Sequence, residues 1–148
     1  MPTAPDTPVM ISPEMTFAEL KDNFALFDDW EDRYRYIIDL GRKLPPFPIE
    51  FQTEANKVRG CMSQVWLVPG HDVSDGRRFA FAADSDAHIV KGLVAVLGIL
   101  FSGQTPDTIA SIDPEVAFGD LGLDQHLSPS RRNGLVAMVQ KIKEYAKA

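Results

Sequence analysis

Arg77-Arg-Phe-Ala-Phe-Ala-Ala-Asp-Ser-Asp-Ala-His-Ile-Val-Lys-Gly-Leu-Val-Ala-Val-Leu-Gly-Ile-Leu-Phe101 changes period in its middle. Over its first seven residues large and small side chains alternate, with Phe79 and Phe81 on one side, which is a strand facing a core. From Ile89 onward almost every position is apolar: Val90, Leu93, Val94, Val96, Leu97, Ile99, Leu100 and Phe101 leave almost no polar face. A helix of that kind is buried on all sides. Ser85 or Asp86 stands where its cap belongs. Gly92 and Gly98 leave room for a neighbour. A strand followed by a buried central helix fits an α+β domain.

Working upstream, Ser63-Gln-Val-Trp-Leu-Val68 reads as a strand that ends at Pro69-Gly70, and Asp75-Gly76 supplies turn chemistry. The two strands form an antiparallel hairpin, with a third strand expected at about Asn56 to Arg59. Thr16-Phe-Ala-Glu19 has capping-box spacing for a first helix carrying Phe17, Leu20, Phe24 and Phe27. Asp29 caps a second, with Trp30, Tyr34, Ile37, Ile38 and Gly41 inward, and Pro45, Pro46 and Pro48 stop it. Downstream, Thr105-Pro106, Asp113-Pro114 and Ser128-Pro129 each have the cap-then-proline form of a helix start. Leu135, Met138, Val139, Ile142 and Tyr145 line the last helix. The expectation is one α+β domain over residues 14–148, with a small antiparallel sheet of about three strands packed on helices. Residues 1–13, with Pro2, Pro5, Pro8 and Pro13, read as a disordered tail.

The 148 residues suffice for a core without disulfides, and 45% of them are hydrophobic. A net charge of -6 argues against a general nucleic-acid binder, which needs surplus cations. The apolar run Gly92–Phe101 is too short to cross a bilayer, and the start has no basic-then-apolar signal. These features point to a cytoplasmic protein without a membrane partner. A single cysteine excludes an internal disulfide and a cysteine cage for zinc or an iron–sulfur cluster within one chain. No glycine-rich phosphate loop is present, and His71, His88 and His126 have no metal-ligand spacing, so no cofactor or metal is expected.

The lone cysteine, Cys61, lies in Asn56-Lys-Val-Arg-Gly-Cys-Met-Ser-Gln-Val-Trp66. A lone cysteine is commonly a small buried hydrophobe. Against that, Gly60 marks a turn that can display the sulfur. Lys57 and Arg59 are close enough in sequence to favour the thiolate, and Ser63 and Gln64 can donate hydrogen bonds to it. The residues by themselves leave both readings open. Arg131 and Arg132 in the first turn of the last helix oppose its dipole. For Arg131 this suggests a reach toward a site or partner.

Four blocks, in order, resemble the SufE family, which includes CsdE: Trp30-Glu-Asp-Arg-Tyr-Arg-Tyr-Ile-Ile-Asp-Leu-Gly41, Val58-Arg-Gly-Cys-Met-Ser-Gln-Val-Trp66, Asp84-Ser-Asp-Ala-His-Ile-Val-Lys-Gly-Leu93 and Gln125-His-Leu-Ser-Pro-Ser-Arg-Arg-Asn-Gly-Leu135. The resemblance implies an α+β fold like that of the IscU scaffold. It implies a sulfur acceptor that takes persulfide sulfur from a pyridoxal-phosphate cysteine desulfurase, SufS- or CsdA-like, stimulates it, and passes sulfur to an iron–sulfur scaffold or another acceptor. Carried over residue by residue, the acceptor is Cys61; Lys57, Arg59, Gly60, Ser63 and Gln64 around it are read from their own chemistry as support for the sulfur loop. Asp86 and Arg131 match positions of partner contact or loop control. The chain lacks the several cysteines of a cluster scaffold, so the shared fold does not carry that role. The alternative is a binding module that regulates a desulfurase without accepting sulfur.

Overall fold

A computed structural model describes residues 8–60, 63–72 and 75–147. The chain runs through α1 (Phe17–Ala25) and α2 (Trp30–Arg42), then two 3-10 turns at Ile49–Phe51 and Glu54–Asn56. The hairpin follows, β1 (Val65–His71) and β2 (Phe79–Ser85), and then α3 (His88–Phe101). Four more helices complete it: α4 (Pro106–Ser111), α5 (Pro114–Asp120), α6 (Leu123–His126) and α7 (Pro129–Lys147). None is long and apolar enough to cross a membrane among the described residues.

The helix starts follow their sequence signals. Thr16 and Glu19 form the capping box, Asp29 accepts from the Asp32 amide, and Thr105 and Asp113 cap helices with proline in the first turn. The start of α3 differs. Its N-cap is Ala87, which makes no side-chain cap bond. Ser85 Oγ instead accepts from the Ala87 amide, and the Asp86 carboxylate is committed elsewhere.

As its composition requires, α3 is the hub. Its residues from Leu93 to Phe101 are all buried, and it packs on α2, on β2 and on α7. Phe79 and Phe81 stack on each other and sit in the same core. Ala80 and Ala82, on the opposite face of β2, are also buried, so the alternation read from sequence is of size rather than of exposure.

The sheet has two strands in register from Val65↔Ser85 to His71↔Phe79. The expected third strand reduces to a single bridge, Lys57↔Trp66, because the 3-10 turn at Glu54–Asn56 leaves only a residue or two extended before the Gly60 turn. Pro69 and Gly70 also belong to β1 rather than ending it. Phe81, paired with Pro69, turns its carbonyl outward to the Ile11 amide at 2.7 Å. Pro69 therefore occupies a pair that exchanges no ladder hydrogen bonds, and its missing N–H costs the hairpin nothing.

Residues 8–13 lie against the core. Ile11 is buried in the core, its amide bonds to Phe81 on the outer edge of β2, and its carbonyl accepts from Ser102 Oγ at 2.5 Å. The many prolines hid one apolar residue that covers a strand edge. Ser102 is itself buried. Ser102→Ala leaves the Ile11 carbonyl without its partner, which costs about 1–3 kcal/mol. The expected outcome is a lower urea midpoint with an unchanged slope, together with faster hydrogen exchange at the Ile11 amide.

Candidate functional site

The segment from Lys57 to Gln64 is pinned at both ends to the hairpin. On the incoming side the Val58 amide donates to the Val65 carbonyl at 2.8 Å. On the outgoing side the Asp86 amide donates to the Gln64 carbonyl at 3.2 Å, and the Gln64 amide donates to Asp86 Oδ1 at 3.0 Å. Gln64 and Asp86 continue the β1–β2 register by one pair, with the Asp86 carboxylate standing in for a backbone carbonyl. This explains why Asp86 is not the cap of α3.

Between these anchors the chain must turn back. Gly60 does so at φ +92°, where a side chain would be strained. A Cβ at Gly60 would also lie 3.3 Å from the Ala137 Cβ on α7. The turn thus rests on the last helix. Cys61 and Met62, which follow Gly60, lie outside the described residues. Their neighbour Ser63 is half-buried and lines a cleft of about 290 Å³. The cleft is floored by Val90 and Leu93 of α3 and Met138 of α7, and Ser128, Ser130 and Arg131 form its polar side. No histidine is among these lining residues.

The cations of the loop are arranged differently from the sequence expectation. Lys57 Nζ lies 3.7 Å from Glu54 Oε1, and Arg59 reaches Glu54 Oε2 at 3.5 Å. Both positive charges are shared with one carboxylate, which reduces what they offer a nearby thiolate. Arg131 forms no ion pair among the described residues and stands at the cleft. Its amide donates to Ser128 Oγ at 3.3 Å, so Ser128 starts α7. The structure therefore brings Gly60, Ser63 and Arg131 to one place. It sets Gln64 and Asp86 as the anchor, and turns Lys57 and Arg59 toward Glu54.

Sequence reasoning missed two groups. Glu54 is one; its spacing of three to Lys57 was the available signal. The other is Asp84, which accepts from Gln52 Nε2 at 3.2 Å and pairs with Lys91 at 3.4 Å. It ties the stretch before the loop to β2 and α3. Nothing local in the sequence announces a bond across 32 residues.

The anchor is testable by cleavage. Arg59 is exposed, so trypsin cuts after it when the loop opens. Asp86→Ala removes one hydrogen bond and raises the cleavage rate about fivefold, the factor carried by roughly 1 kcal/mol. Asp86→Asn keeps an acceptor oxygen and stays near the parent rate. Equal rates for all three proteins, read by mass spectrometry of the fragments, would contradict the anchor.

Comparison with known proteins adds the following. Residues 18–146 match the SufE family model, described as the Fe-S metabolism associated domain. An uncharacterized SufE-like protein of Rhizobium meliloti (strain 1021) is 48% identical over 130 residues, covering 86% of this chain and 92% of its own. Another, from Rhizobium etli, is 48% identical over 131 residues, covering 87% and 88%. Among solved structures, the solution structure of a hypothetical protein from Thermus thermophilus superposes with a TM-score of 0.71 at 20% identity. That match covers 90% of this chain and 96% of the other, and it speaks to the fold alone.

Proposed function

The chain belongs to the SufE family, whose domain is associated with Fe–S metabolism, and from that premise we propose that it is a sulfur acceptor loaded at Cys61. The observation that carries this reading is the position of the only cysteine. It falls between Gly60, turned against α7, and Ser63, on the wall of the cleft that Arg131 borders.

The donor is a cysteine desulfurase that presents a persulfide. The Cys61 thiolate attacks the outer sulfur, a new S–S bond forms, the donor's S–S bond breaks, and the donor leaves as a thiolate. Cys61 then carries the persulfide, which passes to an iron–sulfur scaffold or another thiol acceptor by the same exchange. Arg131 supplies positive charge at the cleft, where a thiolate or persulfide anion is favoured. Ser63 offers a hydroxyl donor. The apolar floor of Val90, Leu93 and Met138 gives a loaded sulfur a niche away from water. Gly60 and the Asp86–Gln64 anchor fix the described residues on either side of the acceptor position. Arg131 and Asp86 also face a docking partner from this side. The fold is read as one sulfur-acceptor domain with its packed N-terminal segment.

The test is mass spectrometry of the intact protein after incubation with a cognate desulfurase and free cysteine. The expected result is the gain of a sulfur atom, mapped to Cys61 and removed by a reductant. A protein that stimulates the desulfurase yet gains no sulfur would instead be the non-accepting regulatory module.

A further inference from the structure

The first turn of α7 carries the polar side of the cleft, yet it has little packing of its own. Ser128, Ser130 and Arg131 line the cleft, and α7 buries residues only from Gly134 onward. The turn therefore takes its position from the helix body behind it and from the link in front of it, His126 to Ser128. That link is held from α2. Tyr34 Oη donates to the His126 carbonyl at 2.6 Å, and the Leu127 amide donates to the Leu123 carbonyl at 3.1 Å. The peptide unit joining His126 to Leu127 is thus bonded at both ends. The His126 ring lies on the Trp30 indole, with centroids 4.0 Å apart and planes 24° from parallel. Trp30 and Tyr34 stand one turn apart on α2 and meet edge to face at 5.7 Å. The Arg33 guanidinium sits over the same indole at 5.4 Å, and its Nε donates to the Phe27 carbonyl at 3.2 Å. Trp30 also meets the start of α6. Gly122 turns there at φ +73°, and a Cβ on it would lie 3.1 Å from Trp30 Cζ2.

We propose that Tyr34 and Trp30 are positioning residues for the sulfur site: by holding the His126–Leu127 peptide and the His126 ring, they fix where α7 begins and so where Ser128 and Arg131 stand at the cleft. The inference rests on the reading of this cleft as the sulfur-acceptor site. Neither aromatic side chain is among the residues that line it. Their action passes through Ser128, which is two residues beyond the held carbonyl. Ser128 lines the cleft, its Oγ accepts from the Arg131 amide at 3.3 Å, and its carbonyl accepts from the Arg132 amide at 2.9 Å. The first amides of a helix have no partner within it, so an unheld first turn frays. When Tyr34 or the stack is lost, Arg131 spends part of its time away from the cleft. The support that its charge gives a thiolate or persulfide falls by the same fraction.

Two variants of the full chain separate the two holds. Tyr34→Phe keeps the ring against Trp30 and removes only the donor. His126→Ala keeps the carbonyl and removes only the stack, and His126 is exposed, so its loss leaves the core closed. Sulfur loading by a cysteine desulfurase with free cysteine, followed by intact mass, is expected to slow about fivefold in each, the factor that one hydrogen bond or one aromatic pair carries. In an Arg131→Ala background the same two changes are expected to alter loading by less than about twofold, because the residue they position is gone. Loading of Tyr34→Phe at the parent rate, or an undiminished effect in the Arg131→Ala background, overturns the proposal. NMR gives a readout that needs no sulfur transfer. The ring current of the indole is expected to hold the His126 ring protons upfield of those of His71 and His88. Tyr34→Phe is expected to move them toward the other two, while the Arg131 and Arg132 amides exchange about fivefold faster. Unmoved ring protons with unchanged exchange overturn the proposal whatever the loading shows. A parent protein that takes up no sulfur refutes the acceptor reading instead, and the NMR arm still decides whether Tyr34 fixes the start of α7.

Discussion

Cys61→Ser is expected to leave the protein folded and to reduce its stimulation of a cognate desulfurase to the level of the desulfurase alone. The exchange needs a nucleophile that is ionised near neutral pH and soft enough to attack a sulfane sulfur. A thiol supplies some thiolate at neutral pH and is a soft nucleophile, and a serine hydroxyl is neither ionised there nor soft. The chain has a single cysteine, so no second thiol can take over. The substitution is close to isosteric, and the anchors at Val58, Gln64 and Asp86 do not involve the sulfur. Circular dichroism and the urea midpoint should therefore match the parent. The readout is alanine formed per desulfurase with and without the variant, together with intact mass. A variant that docks but does not accept should still bind, so direct binding separates lost chemistry from lost contact. If the serine variant stimulates as well as the parent does, the stimulation is allosteric and the acceptor reading fails.

Much of the framework was legible because it depends on local chemistry. The change of period near Asp84 marks β2 and α3, and the caps at Thr16, Asp29, Thr105 and Asp113 mark helix starts, since each is satisfied within a few residues. The misreadings share another cause. Asp86 before an apolar helix looks like a cap, and only the neighbouring strand shows that Gln64 claims its carboxylate. Pro69-Gly70 looks like a turn, and only the register shows that Pro69 occupies a position without a ladder bond. For the site, counting thiols suffices to single out Cys61. The cleft does not follow from counting, because Ser63 and Arg131 meet only when α3 and α7 have packed. The same holds for Lys57 and Arg59, whose sequence proximity to Cys61 said nothing of Glu54.

Gly92→Ala should be the most damaging single-methyl change in the fold. α2 and α3 approach until their backbones touch. A Cβ at Gly92 would lie 2.3 Å from the Ile37 carbonyl oxygen and 2.5 Å from Ile37 Cγ2. From the other side, a Cβ at Gly41 would lie 2.6 Å from the Gly92 amide nitrogen. Two effects compete. Alanine gains about 1 kcal/mol of helix propensity over glycine. Overpacking a core costs about 1–3 kcal/mol and occasionally more. The obstacle here is helix backbone, which cannot rotate aside as a side chain can, so the cost belongs at or above the upper end. The net is a loss of about 2 kcal/mol or more, a shift in Tm of roughly 4–8 °C for a chain of this size. Two other glycines calibrate the claim. At Gly98 the nearest atom to a new Cβ is Ile11 Cγ2, at 2.6 Å, a side chain on the N-terminal segment that can give way, so Gly98→Ala should cost less. At Gly76 nothing among the described residues lies within 4 Å and φ is not positive, so Gly76→Ala should leave Tm unchanged or slightly raised. Calorimetry of the three variants should rank Gly92→Ala below Gly98→Ala below Gly76→Ala. The damage also reaches function, because α3 carries Val90 and Leu93 of the cleft floor. Even at temperatures where Gly92→Ala remains folded, sulfur loading should slow as α3 is pushed off α2. Equal melting of Gly92→Ala and Gly76→Ala would mean that the two helices do not touch backbone to backbone.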